Sequence, residues 1–180
     1  MAPRRASDGR VRTLRIPLLL VAAAIIGGAA MPGAIVYAGG AWAAIDRGGA
    51  CEALSRSARI APKGKVQALA GFTFSRDRRR WGEFHAQLSR VPRPGSSVML
   101  DIGGQPFLLV TSGGWAWSRG PLQERAIIAA LRGAAAMRVE ARDAGGSRFA
   151  DPYILDGAPT AIDAAAARCS VRGAGKMLAG

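Results

Sequence analysis

Two stretches of this chain alternate apolar and polar residues with a period of two. Residues 82–90 place Phe84, Ala86 and Leu88 on one side and His85, Gln87 and Ser89 on the other. Residues 136–142 set Met137, Val139 and Ala141 against Arg138, Glu140 and Arg142. Each pattern predicts a strand with one buried face. Residues 68–75 form a further β-prone run carrying Leu69 and Phe72-Thr-Phe74, and residues 40–45 around Trp42, 51–55 and 147–150 read as shorter extended pieces. Two apolar runs, 97–102 and 105–111, are divided by Gly103-Gly104, a hairpin signal because glycine takes positive φ at no steric cost. In Trp115-Ala-Trp117 the two indoles are two positions apart, hence on one face of an extended segment. Residues 56–67, with Pro62 and Gly64, predict a loop, and Arg76-Asp-Arg-Arg-Arg80 a turn between strands.

Helical spacing is confined to two segments. Pro121 suits a first helical position, Leu122, Ile127, Ile128 and Leu131 give one apolar side, and Gly133 follows as a stop. Thr160-Ala-Ile-Asp163 reads as a capping box opening a second helix, on which Ile162 and Cys169, seven apart, face inward. The pattern therefore predicts a mainly β, α+β domain over residues 39–170. It would be a small β-sandwich or barrel-like domain with one or two packed helices, followed by a flexible tail at 171–180.

The N-terminus is of another kind. Residues 1–15 carry a net charge of +4, and residues 16–37 contain no charged side chain. Arginines resist transfer across a bilayer, so such a segment keeps its basic flank in the cytoplasm and places the remaining chain outside. The run from Ile16 through the isoleucines at 25 and 26 has signal-peptide length, and Val36-Tyr37-Ala38, or Ala41-Trp42-Ala43, offers small residues for a peptidase. The same uncharged stretch is also long enough to span a hydrocarbon core of ~30 Å. Residues 1–38 are thus a signal peptide or a single transmembrane anchor preceding a periplasmic or envelope domain. Roughly 140 residues remain to fold, the size of one domain.

Only Cys51 and Cys169 are present, and in an oxidising compartment an even pair is most simply one disulfide. Lacking CxxC spacing, they suggest neither a redox motif nor structural zinc.

The order of residues resembles the invasion-associated locus B family of exported bacterial proteins. The likeness runs over about 40–170: Trp42 before Cys51; Leu88-Ser-Arg90 leading through prolines to Val98-Met-Leu-Asp-Ile102; Phe107-Leu-Leu; residues 127–132; Met137-Arg-Val-Glu140. It closes with Tyr153-Ile-Leu-Asp-Gly157-Ala, Ala161-Ile162 and Cys169. The resemblance implies a compact β-rich domain at a periplasmic or surface location, and no catalytic residue. Many relatives carry a further cysteine pair mid-domain that is missing between Trp115 and Leu131, so any role of that pair does not carry over.

Candidate chemistry is sparse. His85, the sole histidine, lies on the polar side of its strand without a Ser, Cys or Asp at a recognisable spacing, and reads as a surface residue. Asp151 and Asp156 stand where turns favour aspartate, Asp163 reads as a helix cap, and Asp101 has no carboxylate partner by spacing. The Gly-Gly pairs lack the Lys-Ser/Thr ending of a phosphate loop. No metal, cofactor or catalytic constellation is predicted. Trp115 and Trp117 either pack in the core or form an aromatic platform for a ligand. From residue 39 onward the chain carries 20 basic and 11 acidic residues, with a cluster at Arg76, Arg78, Arg79 and Arg80. Arginine is abundant throughout, 22 to 3 lysines, as GC-rich coding alone would produce. The cluster is either a solvated turn or a surface for anionic headgroups or acidic glycans. Outside the cytoplasm nucleic acid is excluded as a partner. The expected function is a non-enzymatic envelope protein acting through binding or structural contacts. A membrane-tethered domain with assembly partners and an envelope hydrolase are the alternatives; an open polar cleft at His85 or Asp101 would favour the hydrolase.

Overall fold

The structure, a computed structural model, describes residues 33–170. The basic flank and most of the apolar N-terminal segment, residues 1–32, lie outside the described residues, as does the tail at 171–180. Among the described residues no helix is long and apolar enough to cross a membrane.

Among the described residues two antiparallel sheets and two helices make up the fold, which is mainly β as the pattern predicts. The large sheet contains β1 (Ala34–Gly39), β2 (Trp42–Asp46), β3 (Ala50–Arg56), β4 (Leu69–Ser75), β5 (Trp81–Gln87), β8 (Val110–Ser112) and β9 (Trp115–Trp117), in the order β1-β2-β3-β4-β5-β9-β8. The small sheet is β11 (Arg148–Ile154), β10 (Ala136–Arg142), β6 (Met99–Ile102) and β7 (Gln105–Leu108), in that spatial order. Both sheets stay open, so the barrel-like alternative is not realised.

Local chemistry explains most connections. Gly103 and Gly104 take φ of 58° and 87°, which lets Ile102 pair directly with Gln105 in the β6–β7 hairpin. The apolar run 105–111 does not remain one strand. After Leu108 the chain leaves the small sheet, Leu109 is buried with its N–H on the Val98 carbonyl (2.9 Å), and β8 pairs in the large sheet.

β1 falls inside the stretch, residues 1–38, that the sequence pattern assigns to a signal peptide or anchor. Ile35, Val36 and Tyr37 are β-branched or aromatic, and Gly40 at φ 57° turns the chain back so that Gly39 pairs with Trp42. The large sheet therefore includes residues ahead of 39, from Ala34 onward. The β1–β2 turn lies against the turn that precedes the last helix. Ala41 N–H donates to the Asp156 carbonyl (2.9 Å), and a Cβ on Gly157 (φ 83°) would collide with the Gly39 carbonyl.

One hydrophobic cluster draws on both sheets and both helices, with Phe72, Phe84, Leu100, Val139, Tyr153 and Ile127 among its fully buried members. Helix α1 (Pro121–Leu131) starts with proline at its N-terminus as expected, but only Ile127 and Leu131 of its apolar side are buried and Ile128 partly so; Leu122 is 80% exposed. The inward place in its first turn goes to Glu124, whose carboxylate accepts from Ser118 Oγ (3.2 Å). Helix α2 (Ala158–Ser170) begins before Thr160, so Thr160 and Asp163 do not cap it. Asp163 instead faces solvent and pairs with Arg132 of the α1 C-cap (2.7 Å). The α2 stripe of Ala158, Ala161, Ile162, Ala165 and Cys169 is small enough to bring the helix close to β2 and β3. There Cys51 and Cys169 form the expected disulfide, with Cα atoms 5.7 Å apart.

Candidate functional site: the outer face of the large sheet

Residues paired across antiparallel strands point to the same face, so the register shows what shares the sheet's outer side. Leu54, Gly71, His85 and Trp117 form one row across β3, β4, β5 and β9. Glu52, Thr73 and Glu83 form the adjacent row, and Leu69, Gln87 and Trp115 flank the other side. The Gly113-Gly114 hairpin sets Trp115 opposite Ser112 and thereby fixes which way both indoles point. The two tryptophans are half-buried, with ring centroids 6.3 Å apart and planes 19° from parallel. They do not join the hydrophobic cluster, so core packing is not their role. With Glu52, Thr73, Arg80, Glu83 and His85 they line an open hollow of about 290 Å³.

His85 is 8% exposed, which overturns its reading as a surface residue. Alternation correctly assigned it to the side opposite Phe84. That side is covered, however, by tryptophans arriving some thirty residues later. Its Nδ1 lies 3.3 Å from Thr73 Oγ1, and its ring is tilted 37° against Trp115. Burial pushes the imidazole pKa down, an effect that the Glu52 charge opposes and Arg80 reinforces. Gly71 leaves room beside the ring: a Cβ there would collide with Leu54 Cδ2, meet the Ala53 carbonyl oxygen at 2.6 Å and approach His85 Cε1 at 3.1 Å. Burial raises the Glu83 carboxyl, against the opposing pull of Arg80 at 3.9 Å. Glu52 is ion-paired with Arg47.

The four arginines of the 76–80 turn each have a different partner. Arg76 Nη2 donates to the buried Asp46 carboxylate (2.9 Å), which also receives Arg168 Nε from α2 (2.7 Å) and the Gly48 N–H (2.8 Å). Arg78, at φ 63°, stacks its guanidinium 3.8 Å from the Trp81 ring centroid. Arg79 faces Asp77 at 3.7 Å and Arg80 faces Glu83. The turn is thus fastened by Asp77 within it, by Asp46 on β2 and Glu83 on β5, and by the Trp81 ring.

The remaining acids do not converge. Asp101 lies near Arg138 (3.7 Å). Asp151 is not in a turn, because β11 runs straight through Asp151-Pro152; its buried carboxylate accepts the Ser89 N–H (2.9 Å). Asp156 does occupy a turn. Asp46, Cys51 and Cys169 cluster as metal-type ligands among the described residues, but both sulfurs are in the disulfide and Asp46 is held by two arginines.

The chain matches no family model, no curated protein and no solved structure. Most residues that carry the resemblance noted above, Trp42, Leu88, Val98, Leu100, Met137, Tyr153 and Cys169 among them, are buried in the core. They bear on how the chain packs, and the outer-face residues are not among them.

Proposed function

We propose that this chain is a non-enzymatic exported envelope protein whose outer sheet face binds a neutral glycan. The carrying observation is the half-exposed Trp115–Trp117 pair bordering a polar hollow outside the core. Indole faces pack on the apolar C–H faces of a sugar ring, while the few polar groups at the edge orient its hydroxyls. Charge favours an uncharged ligand: Glu52 is matched by Arg47, Glu83 by Arg80, and burial favours neutral His85. The exported setting is supported by the disulfide, by the basic-then-apolar N-terminus, and by the resemblance to invasion-associated locus B proteins. Calorimetric titration with oligomers of N-acetylglucosamine and other uncharged glycans tests the reading. Binding should weaken at least about tenfold in Trp117→Ala and Trp115→Ala, the loss of one stacked ring. Absence of binding to any uncharged glycan rejects it.

A second reading, a hydrolase on envelope glycans, rests on Glu83 and Glu52 lining the same hollow, with the Glu83 pKa raised. A raised carboxyl beside a second carboxylate is what glycoside hydrolysis requires. Thr73 is 1% exposed and so unsuited as a nucleophile beside His85. Release of reducing ends that Glu83→Gln abolishes would establish this reading over simple binding.

A further inference from the structure

Acids answer Arg76, Arg79 and Arg80, and Arg78 stacks on Trp81; further positive charge lies on the loop joining β3 to β4. Ser57 Oγ and the Ala58 N–H both donate to the Pro152 carbonyl (3.0 and 2.8 Å), tying the loop to β11. Gln67 braces it from within, accepting from the Ala61 N–H (2.9 Å) and donating to the Arg59 carbonyl (3.1 Å). A loop built this way holds its outward side chains in place. They are Arg59, Lys63 and Lys65, interleaved with Ile60 at 79% and Val66 at 45% exposure.

Two hollows, about 510 and 550 Å³, adjoin at Arg59. Ile60, Val66, Lys65 and Arg90 border the first, and Arg142 and Arg148 the second. The local acids are occupied. Asp143 pairs with Arg90 (2.8 Å), Asp151 is buried on Ser89, and Glu140 is bound by Arg138. Among the described residues Arg59, Lys63, Lys65, Arg93 and Arg148 have no carboxylate partner. Val91, 58% exposed, follows Arg90 directly.

We propose that this end of the domain docks on an anionic lipid surface, with Arg59, Lys65 and Arg148 facing headgroup phosphates and Ile60 and Val66 entering the interface. Unpaired cations alone would suit any polyanion. Exposed branched aliphatic side chains between them favour a bilayer, where apolar contact and electrostatic attraction add. The surface shares no residue with the tryptophan hollow, so the two assignments stand or fall separately.

Hydrogen exchange on the full chain, reconstituted in vesicles of phosphatidylcholine or of phosphatidylcholine with phosphatidylglycerol, tests this whether or not the N-terminal segment also inserts. Amides of 58–67 and 91–97 should gain protection only with phosphatidylglycerol, and lose it in concentrated salt. Arg59→Glu with Lys65→Glu should abolish the gain, Ile60→Ser should reduce it, and Arg79→Glu should leave it unchanged. Native exchange in β3 and β4 checks that the variants are folded. Equal protection in both vesicle types, or equal sensitivity to Arg79→Glu, overturns the assignment. Protection by a soluble acidic polysaccharide but not by phosphatidylglycerol overturns it in favour of an acidic glycan.

Discussion

Gly71 and His85 show how one missing side chain shapes the outer face. Alanine at 71 would press on Leu54 Cδ2 and on the Ala53 carbonyl, which the β3–β4 ladder holds in place, so Leu54 must turn aside and the strands must part, and His85 must give slightly. Gly71→Ala should cost about 1–3 kcal/mol in urea unfolding and shift the His85 resonances. His85 also makes stability depend on pH. Its pKa is lowered in the folded state, so the unfolded chain binds more protons as pH falls below the ordinary imidazole value of 6.5. This contribution is complete above that value and is lost as pH descends toward the lowered one. Glu83, whose pKa is raised, contributes the opposite slope, in which stability is lost as pH rises through its folded value. Comparing wild type with His85→Gln across this range isolates the histidine. The variant should lose less stability on acidification, and an identical slope in both would contradict the burial argument. Polarity of His85, Glu52 and Glu83 was legible in the sequence, but their covering was not. Alternation reveals a side chain's face, whereas what lies over that face depends on β9 pairing with β5 across a long connection.

At the scale of elements, α2 is fastened to the large sheet by a covalent bond and a charge cluster. The Cys51–Cys169 bridge spans 118 residues of sequence. In the chain-entropy account a loop of that size is worth about 4–5 kcal/mol, within the usual range for small exported domains. Cys169→Ser should lower stability by a few kcal/mol, and the native protein should resist thiol labelling until reductant is added. Full labelling without reductant would disprove the bridge. Close by, the Asp46 carboxyl is held below the usual carboxylate range by the Gly48 N–H, then by Arg168 and Arg76, against the cost of burial. That contribution is present above the ordinary carboxylate value and disappears as pH falls through the lowered one. Arg168→Ala should therefore fray α2 from the β2–β3 turn, seen as faster amide exchange in residues 165–170, while α1 is unaffected. Strands β5 and β10 and the β6–β7 hairpin were readable because each has one buried face or a turn that needs glycine. The start of α2 was misread because its alanine-rich first turn lacks contrast between faces. Where the 105–111 run changes sheets was hidden because an apolar stretch carries no alternation to mark the crossing.

The whole molecule combines an excess of positive charge with a domain that begins inside the uncharged N-terminal stretch. Residues 34–37 add nothing polar to that stretch, so composition could not separate them from a leader; only the Gly39-Gly40 turn hinted at a hairpin. In the structure β1 pairs with β2 from Ala34 to Gly39, Tyr37 packs on the hydrophobic cluster, and the following turn meets Asp156 and Gly157. A cut after Ala38 would remove all of that strand but Gly39, and with it Tyr37, and expose the β2 edge. Exposed strand edges invite pairing with another chain. A form starting at Gly39 should accordingly melt a few degrees below one starting at Gly33, about 1 kcal/mol of lost ladder and Tyr37 contact, and should self-associate at lower concentration. Thermal scans and light scattering on the two forms measure both effects. N-terminal sequencing of the protein purified from its native cells then decides which form exists. A start at or before Ala34 agrees with a domain that includes β1, and a start at Gly39 with unchanged melting would show that β1 is dispensable.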